Sequence, residues 1–465
     1  MTLLLFQRLS AGKILLSCLL INSICQSIVC QKNITVLGTG YVGLVLGACL
    51  AKFGNHVICA DIDIEKIAML QQGKIPIFEP GLTELTLQQI KERRLTFSSN
   101  INKSIQESDV IFIAVGTPMD DTGRANLNAL ETVAKNIGQN LNGYKVICTK
   151  STVPIGTGTL IRDIIFQQTG NINFDIVSNP EFLREGSAVK DFLEPDRVII
   201  GLQSSDARRI MDEIYMPLHQ QNIPFLYTDI ITAETIKYAA NSFLATKISY
   251  INEIANLCDK TGANIALVSE GMGLDKRIGK QFLNPGPGFG GSCFPKDAQA
   301  LLHKASEVKV NLNVLKAALE ANVYQRTVII NKVSQLLNHE FKNKTIAILG
   351  LAFKANTDDI RYSPALDIIQ ALVKQGALIK AYDPIAAENT KRILPTISYA
   401  TSAEDASIGA DCIIILTEWA EFKNIDFAKI IFLVNSPNIV DARNIINSDN
   451  LRKLGFNITN IGNYH

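Results

Sequence analysis

The chain has 465 residues, more than one ordinary hydrophobic core accommodates, so its length predicts two or three domains. Hydrophobic residues make up 47% and charged residues 19%, a balance typical of globular enzymes that excludes a disordered or fibrous protein. The 45 basic residues nearly cancel the 44 acidic ones, so no overall positive field attracts nucleic acid, and an acidic ligand needs a local site. Nine cysteines without a CxxC pair or a Cys/His cluster predict reduced thiols and no metal site.

Residues 1–32 form a hydrophobic extension. Arg8 and Lys13 precede an apolar run at residues 14–24 that has the charge and length of the front of a signal peptide and is short for a membrane span. Three interpretations compete: a misassigned start codon, a cleaved targeting segment and a hydrophobic anchor. We favour the first, because a sheet can begin at Lys32 and Asn33.

The segment 33–228 alternates short β-branched runs with helical patterns. Strands are predicted at residues 34–38, 56–63, 110–118, 145–154 and 174–182, with a helix at 41–54 after the first. Strands separated by helices of this length predict an open parallel sheet with right-handed crossovers.

The strand pattern stops in the segment 229–338 and returns in 339–465. A helix is predicted at 233–262, with Thr232 as its N-cap and Gly262 at its end, and another helical stretch at 300–337. Further strands are predicted at 345–350, 377–384, 411–418 and 431–435. The predicted fold is therefore α/β, with two Rossmann-like open parallel sheets joined by a central helical domain.

A glycine-rich turn, Gly38-Thr39-Gly40-Tyr41-Val42-Gly43, follows the first predicted strand and opens the first predicted helix. Gly38 permits the tight turn, Gly40 lets the backbone approach a pyrophosphate, and Gly43 lets the helix pack on the strand. Asp61 ends the second strand at the distance expected for a carboxylate that binds a ribose diol and repels a 2′-phosphate. The pattern predicts NAD, although other strand–glycine–helix turns can match it. Lys66 is a weaker candidate, since a solvated surface lysine explains it as well.

The stretch 282–297, FLNPGPGFGGSCFPKD, contains the candidate nucleophile. Its glycines and prolines exclude a regular element between residues 285 and 291, and such a loop can wrap closely around a ligand. Cys293 follows the loop, with Lys296 and Asp297 close behind. A thiol beside a cation and free N–H groups is expected to have a lowered pKa and to be nucleophilic. The alternative is a structural cysteine at a tight corner.

Three stretches, GGSCFPKD (290–297), ETIKYAANSFLATKISYINEIA (234–255) and GLAFKANTDDIRYSPA (350–365), resemble the UDP-glucose 6-dehydrogenases of the UDP-glucose/GDP-mannose dehydrogenase family. The resemblance covers about residues 33–465. Relatives that oxidise GDP-mannose or UDP-N-acetylmannosamine share the architecture and the cysteine, so one sequence does not settle the sugar nucleotide.

The resemblance implies a four-electron oxidation of UDP-glucose to UDP-glucuronate that consumes two NAD. The C6 alcohol becomes an aldehyde, Cys293 traps it as a thiohemiacetal, a second hydride transfer gives a thioester, and water releases the acid. Lys237 and Asn241, spaced i, i+4 on one helix face, would stabilise an oxyanion, although that spacing alone equally fits a solvated face. Asp297 would order a water with Lys237, and Glu181 would activate the hydrolytic water.

Further residues are assigned by the same resemblance or by their position. Glu181 and Glu185 share a helix face if a helix starts at Pro180, although two glutamates there could simply favour the helix dipole. Thr117 and Thr152 lie at the carboxyl ends of strands, where open α/β sheets bind ligands. The remaining expected cofactor contacts are Tyr41, Val42, Lys296 and Arg361. The expected substrate contacts are Glu181, Phe182, Leu183, Arg184, Glu185, Lys237, Asn241, Arg277 (across a dimer), Phe282, Leu283, Asn284, Pro285, Gly286, Gly290, Lys354 and Arg443.

Two other functions fit parts of this pattern. A two-electron dehydrogenase of the hydroxyacid or 6-phosphogluconate kind also pairs a Rossmann domain with a helical one, but it has no use for a nucleophilic thiol or a second α/β domain. A nucleotide-sugar sensor would not need to retain Cys293 and Lys237, and both are present. The resemblance also implies a cytoplasmic homodimer or higher homo-oligomer that serves polysaccharide biosynthesis, with the long central helix as the dimer surface.

Overall fold

A computed structural model describes residues 31–120 and 123–463 of the chain. The predicted hydrophobic extension, apart from Gln31 and Lys32, lies outside the described residues. Within the described ranges, no helix has both the length and the apolar character needed to cross a membrane.

The first sheet has eight strands in the order β3-β2-β1-β4-β5-β6-β7-β8. All neighbours run parallel except β6 and β7, which meet antiparallel at Ser178 and Gly201. The strands are β1 Asn33–Leu37, β2 His56–Ala60, β3 Leu95–Ser98, β4 Val110–Ile113, β5 Lys145–Thr149, β6 Phe174–Ser178, β7 Val198–Gly201 and β8 Phe225–Thr228. The predicted strands are present, whereas β3, β7 and β8 were missed; each has four residues, as β4 does, but lies in a shorter apolar run than β4.

Helices cover the faces of this sheet. They are α1 Tyr41–Lys52, α2 Ile64–Gln71, α3 Leu82–Lys91, α4 Ile101–Gln106, α5 Asn128–Gln139, α6 Thr157–Thr169, α7 Ala188–Leu193, α8 Ser205–Ile214 and α9 Met216–Gln220. Strand β4 is buried along its whole length, as expected for a parallel strand between two helical layers. Gly38, Asp61, Thr117, Thr152 and Glu181 each follow a strand of this sheet. They therefore lie towards its carboxyl edge, where open α/β sheets bind ligands.

The middle of the chain is helical, with α10 Ile230–Thr261, α11 Ile265–Leu274, α12 Phe294–Glu307 and α13 Asn313–Leu336. The predicted end of α10 is confirmed, since Gly262 adopts a left-handed φ of +81°. The predicted N-cap was wrong: Asp229 caps the helix by accepting a hydrogen bond from the Thr232 N–H at 2.8 Å. The single helical stretch predicted at 300–337 is two helices. They separate near Lys309, whose φ of +59° is incompatible with a right-handed helix.

The second sheet has six parallel strands in the order β11-β10-β9-β12-β13-β14. These are β9 Thr345–Leu349, β10 Leu378–Tyr382, β11 Ser398–Tyr399, β12 Cys412–Ile415, β13 Asn438–Asp441 and β14 Asn457–Asn460. Its helices are α14 Pro364–Lys374, α15 Ala387–Lys391, α16 Ala403–Ser407, α17 Phe427–Ile430 and α18 Ser448–Lys453, with a 3₁₀ turn at Ala420–Asn424.

The strand predicted at 431–435 is wrong. That segment leaves α17 through turns, and the strand begins just after Pro437, where Ile439 pairs with Ile413 of β12. Proline lacks the N–H that a central strand must donate, so it is tolerated at the start of this strand and not within it.

Candidate active site

The glycine turn between β1 and α1 has the shape that a dinucleotide phosphate requires. Gly38 has φ +100°, and a Cβ there would lie 2.7 Å from the Ala114 carbonyl oxygen. A Cβ at Gly43 would lie 2.0 Å from the Gly38 carbonyl oxygen. Beside Gly40, nothing lies within 4 Å of the Cβ position, which leaves room for a phosphate at the helix N-terminus. Val42, which was expected to contact the cofactor, packs against the core of the first sheet. The free space beside Gly40 is what lets the turn accept the phosphates of NAD.

Asp61 follows β2 directly and lies beside this turn. Its Oδ2 accepts hydrogen bonds from the Thr39 N–H (2.8 Å) and hydroxyl (2.7 Å), and its Oδ1 accepts one from the Asp63 N–H at 3.1 Å. Lys66 Nζ lies 3.4 Å from Oδ2. Burial acts to raise the pKa of Asp61, but these hydrogen bonds and the Lys66 charge together hold that pKa below its usual range. An ionised carboxylate here can bind a ribose diol and repels a 2′-phosphate.

Thr117 and Thr152 come together at the carboxyl edge of the sheet. They follow the neighbouring strands β4 and β5, and the Thr117 hydroxyl donates to the Thr152 carbonyl oxygen at 2.8 Å. The structure thus joins the two loops that were expected to face the ligand.

Glu185 is the point where three parts of the chain meet. Its carboxylate accepts hydrogen bonds from the hydroxyls of Ser292 (3.1 Å) and Thr357 (3.2 Å), and Arg361 Nη2 lies 3.4 Å from its Oε1. Burial, followed by the charge of Asp359, raises the pKa of Glu185 to about 7, against the opposing effects of Arg361 and Ser292. The loop that carries the candidate nucleophile is therefore tied to both sheets.

Two predicted cofactor contacts also bridge the sheets. The Arg361 guanidinium forms a bidentate pair with Asp359 (2.8 and 2.7 Å) and lies 5.8 Å from the centre of the Tyr41 ring. The Tyr41 hydroxyl donates to Asp358. The glycine turn of the first sheet therefore contacts the loop that follows β9 in the second.

The helix predicted from Pro180 is wrong, since residues 179–187 have no helical conformation and α7 starts at Ala188. Glu79, from a distant loop, accepts hydrogen bonds from the N–H groups of Gly186 (2.7 Å) and Ala188 (2.8 Å). Glu181 is 4% exposed and lies outside any helix, so the alternative of an exposed glutamate that only favours a helix dipole does not apply to it.

The predicted catalytic side chains form two adjoining groups. Lys237 Nζ donates to Glu181 Oε1 at 3.1 Å, and both side chains are buried. Asn241 Nδ2 donates to Asp297 Oδ2 at 2.7 Å, and Lys296 Nζ lies 2.7 Å from Asp297 Oδ1. The alternative of a solvated helix face is excluded, because Lys237 is 3% and Asn241 5% exposed. Burial acts to lower the pKa of Lys237, but the Glu181 carboxylate, which also accepts its hydrogen bond, and the Asp297 carboxylate outweigh this effect and raise that pKa.

Cys293 precedes α12 and is half-buried beside these groups. The prediction of a lowered thiol pKa is wrong. Burial and the negative charge of Glu181 raise the pKa of Cys293 to about 11, and Asp297 adds to the rise, while Lys237 and the Ser292 hydroxyl offset part of it. The Lys296 ammonium, which was expected to lower the thiol pKa, is paired with Asp297 at 2.7 Å, and Lys237 is paired with Glu181 at 3.1 Å.

Side-chain amides from α10 and α13 hold the glycine loop before Cys293. Asn322 forms two hydrogen bonds with the backbone of Phe289, to its N–H (2.7 Å) and from its own Nδ2 to the carbonyl (3.1 Å). Gly286 donates to Asn252 Oδ1 at 2.8 Å and accepts from Gln325 Nε2 at 3.1 Å. A buried loop outside helices and sheets needs hydrogen-bond partners for its backbone N–H and carbonyl groups, and these amides supply them. The sequence contained no signal for them, because asparagine and glutamine on a helix are usually solvated.

A cavity of about 680 Å³ contains the candidate nucleophile. Its lining includes the predicted residues Glu181, Phe182, Leu183, Arg184, Lys237, Asn241, Phe282 and Cys293. Lys150 and Asn179 also line it, and neither was predicted. Arg184 is partly committed elsewhere, since it forms a bidentate ion pair with Asp191 (3.0 and 2.5 Å).

A second cavity of about 510 Å³ lies between the glycine loop and the second sheet, with Leu283, Asn284, Pro285 and Arg443 in its lining. Arg443 donates to the carbonyl oxygens of Leu416 (2.7 Å) and Phe353 (2.8 Å). A Cβ at Gly286 would lie 3.4 Å from its guanidinium, and one at Gly290 would lie 2.3 Å from the Tyr362 carbonyl oxygen.

Two predicted cations remain. Burial lowers the pKa of Lys354, and the negative charges of Glu185 and Glu418 offset part of that decrease. Arg277 is exposed and forms a bidentate pair with Asp275, two residues earlier in the chain, from Nε to Oδ1 (3.0 Å) and from Nη2 to Oδ2 (2.6 Å).

An open sheet that carries this glycine turn and this carboxylate defines an NAD-dependent dehydrogenase. Three models of the UDP-glucose/GDP-mannose dehydrogenase family match the chain in order: the NAD binding domain at residues 32–219, the central domain at 231–324 and the UDP binding domain at 347–448. The chain belongs to this family and is an NAD-dependent oxidoreductase.

Relatives and solved structures agree with this assignment. The chain is 48% identical over 434 residues to a UDP-glucose 6-dehydrogenase of Bacillus subtilis, covering 93% of each chain. It is 44% identical to a UDP-glucose 6-dehydrogenase of Rhizobium meliloti, covering 92% of this chain and 99% of that one. The structure of a UDP-glucose dehydrogenase from Pyrobaculum islandicum matches with a TM-score of 0.87 and 32% identity, over 94% of this chain and 99% of that one.

Proposed function

We propose that the protein oxidises UDP-glucose to UDP-glucuronate in two NAD-dependent steps, through a covalent intermediate on Cys293. The observation that carries this proposal is the enclosure of Cys293 in one cavity with Lys237, Glu181 and Asn241. A two-electron dehydrogenase has no use for a nucleophilic thiol at this place. The substrate is taken from the relatives that are named UDP-glucose 6-dehydrogenases.

The residues of the chain bind and orient the reacting sugar carbon, while NAD accepts one hydride in each oxidation step. Lys237 and Asn241 present an ammonium and an amide from one face of α10 towards the C6 oxygen, where they stabilise negative charge. Asp297 is held by Asn241 and Lys296, which leaves it placed to order a water beside Lys237. That water takes up the proton of the C6 hydroxyl when the alcohol becomes an aldehyde.

The raised pKa of Cys293 determines how the thiol reacts. Its sulfur bonds to the aldehyde carbon while its proton moves to the aldehyde oxygen, so the thiohemiacetal forms without a free thiolate. After the second oxidation the sulfur is held in a thioester. Glu181, fixed by Lys237 and by the Leu183 N–H at 2.5 Å, then acts as the general base that activates water.

The sugar nucleotide is expected to span both cavities. Its glucose is expected to contact Phe282–Gly286 and Gly290, of which Phe282 lines the larger cavity while Leu283, Asn284 and Pro285 line the smaller one. Its UDP is expected to lie against Lys354 and Arg443, and Arg443 lines the smaller cavity. Glu185, Arg361 and Tyr41 face the cofactor where the two sheets meet. The segments 33–228, 229–338 and 339–465 then serve as the NAD-binding, central and UDP-sugar-binding domains.

A homodimer through α10 is part of this proposal. Phe243, Tyr250 and Leu257 recur every seven residues on that helix and are 65%, 49% and 57% exposed. An apolar stripe of this kind on a long helix fits a second copy of the same helix. Such a dimer would bring Arg277 near the partner's substrate. Sedimentation of wild type against Tyr250→Glu tests it, and a monomeric wild type would contradict it.

The deciding experiment measures NADH formed per sugar nucleotide consumed, for UDP-glucose, GDP-mannose and UDP-N-acetylmannosamine. We expect two NADH per UDP-glucose and little from the others. Cys293→Ser should still bind NAD but fail to complete the second oxidation, whereas Cys258→Ser, at a buried position away from the cavity, should remain active. One NADH per sugar, or normal acid formation by Cys293→Ser, would contradict the covalent mechanism.

A further inference from the structure

Lys150 is a buried ammonium that the proposed mechanism does not use. It follows β5 directly, is 5% exposed and lines the cavity that contains Cys293 and Glu181. Its Nζ donates to Asn179 Oδ1 at 2.9 Å and lies 5.7 and 5.9 Å from the ring centres of Phe192 and Tyr215. Within the described residues it forms no ion pair.

Lys145, at the other end of the same strand, provides a contrast. It is 4% exposed, and its ammonium is bound by the carbonyl oxygens of Ser108 and Gln106. Carbonyl oxygens compensate a buried cation, so Lys145 has a structural role. Lys150 has one amide oxygen and two aromatic faces instead. A charge buried with so little compensation costs stability, and such charges are concentrated at functional sites.

The contacts of Lys150 lead to Glu181. Asn179 is fully buried, and its Oδ1 accepts hydrogen bonds from both Lys150 and the Tyr215 hydroxyl (2.6 Å), while its Nδ2 donates to the Ile199 carbonyl at 2.7 Å. Pro180 and Glu181 come next in the chain. Lys150 is thus bonded to the residue from which the Glu181 segment leaves β6.

The electrostatics agree with this connection. Burial lowers the pKa of Lys150 to about 8; the Glu181 carboxylate opposes this fall and the Lys237 ammonium adds to it. At neutral pH the group is therefore mostly charged and attracts the Glu181 carboxylate. Two ammonium groups, those of Lys150 and Lys237, thus act on one carboxylate.

We propose that Lys150 is a positioning residue for Glu181, which it holds through Asn179 and through its charge so that the carboxylate faces the water that cleaves the Cys293 thioester. This inference rests on the proposed function. In that step the water oxygen bonds to the acyl carbon and the carbon–sulfur bond breaks. Glu181 takes one water proton and passes it to the departing sulfur, and the other proton is lost as the product carboxyl ionises. Lys150 then matters for hydrolysis and not for either oxidation.

The test compares Lys150→Met with the matched control Lys145→Met in the full-length enzyme. For Lys150→Met we expect an unchanged or raised Tm, a KM for UDP-glucose within about twofold of wild type, and a kcat lowered by about 10- to 100-fold, a fraction of what a general base contributes. Rapid mixing should give a burst of two NADH per site, and mass spectrometry of acid-quenched enzyme should detect the thioester. Lys145→Met should instead lower Tm and leave kcat within about threefold, as expected when only structural hydrogen bonds are lost.

Lys150→Arg, which keeps the charge, should hydrolyse the thioester faster than Lys150→Met. The inference is overturned if wild type forms two NADH per sugar but Lys150→Met has normal kcat and no thioester, or loses Tm with all phases slowed alike. If wild type itself forms one NADH per sugar, the proposed function fails and the role of Lys150 fails with it.

Discussion

The two sheets of this protein share their first six strand positions, in the orders β3-β2-β1-β4-β5-β6 and β11-β10-β9-β12-β13-β14. Their central turns also agree: Gly38 and Gly350 both have φ +100°, and each donates its N–H to the end of the neighbouring strand at 2.8 Å. After the turn they differ. In the first sheet the helix starts at Tyr41, whereas in the second a loop of residues 351–363 precedes the helix that starts at Pro364.

Each sheet has an aspartate directly after the strand beside its central turn, Asp61 after β2 and Asp383 after β10, and the two differ in their hydrogen bonds. Asp383 in the second sheet accepts hydrogen bonds from Leu351, Ala352 and the Trp419 indole on Oδ2, and from the N–H groups of Ile385 and Ala386 on Oδ1. Five protein donors leave it no capacity for a ribose. Asp61, in the matching place, receives protein donors mainly on Oδ2. The same strand order therefore binds a dinucleotide only where the turn leads directly into a helix and the carboxylate stays open.

The largest effect is expected from Gly43→Ala. Because the new Cβ would lie 2.0 Å from the Gly38 carbonyl oxygen, α1 must move off the sheet, at a cost of about 3 kcal/mol in the free energy of unfolding. NAD binding, measured by calorimetry, should be lost. Gly40→Ala is the matched control, since its Cβ position is empty: it should unfold like wild type yet bind NAD more weakly. Equal Tm values for all three proteins would contradict the packing argument.

A smaller effect is expected from replacing Asp61 or Asp383 by asparagine, and the two variants should differ in what they lose. Asp61→Asn should weaken NAD binding by about tenfold, because a charge-assisted hydrogen bond to the ribose becomes a neutral one, and it should improve the relative affinity for NADP. Asp383→Asn should leave both affinities unchanged and lower the free energy of unfolding by about 1–3 kcal/mol, since an amide cannot accept from all five donors. The comparison of the two sheets fails if Asp383→Asn changes cofactor affinity as much as Asp61→Asn does.

The features predicted correctly from the sequence are those with a local cause. The glycine turn, the buried strands and the end of the long helix at Gly262 each depend on residues a few positions apart. The errors concern positions decided by distant residues. The segment after Pro180 is not helical, and Glu79, a hundred residues earlier in the chain, binds its N–H groups. The pKa of Cys293 depends on nearby Asp297 and on Glu181 from a distant segment, and no spacing in the sequence reveals that Lys237 is paired with Glu181.

The smallest expected effect is a difference in pH dependence between Asp61 and Asp441, the last residue of β13 in the second sheet. Burial raises the pKa of Asp441, although its carboxylate accepts hydrogen bonds from the N–H groups of Arg443 (3.0 Å), Ile445 and Ile446 (2.8 Å each). A folded-state pKa above the unfolded value means that the folded protein binds the proton more tightly. The contribution of Asp441 to stability is therefore present at low pH and is lost as pH rises from the ordinary carboxyl range through the raised pKa. For Asp61, whose pKa is lowered, the contribution is present above the ordinary carboxyl range and is lost as pH falls.

Urea unfolding of wild type, Asp441→Asn and Asp61→Asn between about pH 3 and 7 measures both contributions, at about 1.4 kcal/mol for each unit of pKa difference. The stability of Asp441→Asn relative to wild type should rise with pH and that of Asp61→Asn should fall. Slopes of the same sign would mean that the two strand ends hold their carboxylates in the same way, contrary to the distinction between an open, ionised site and a closed, buried one.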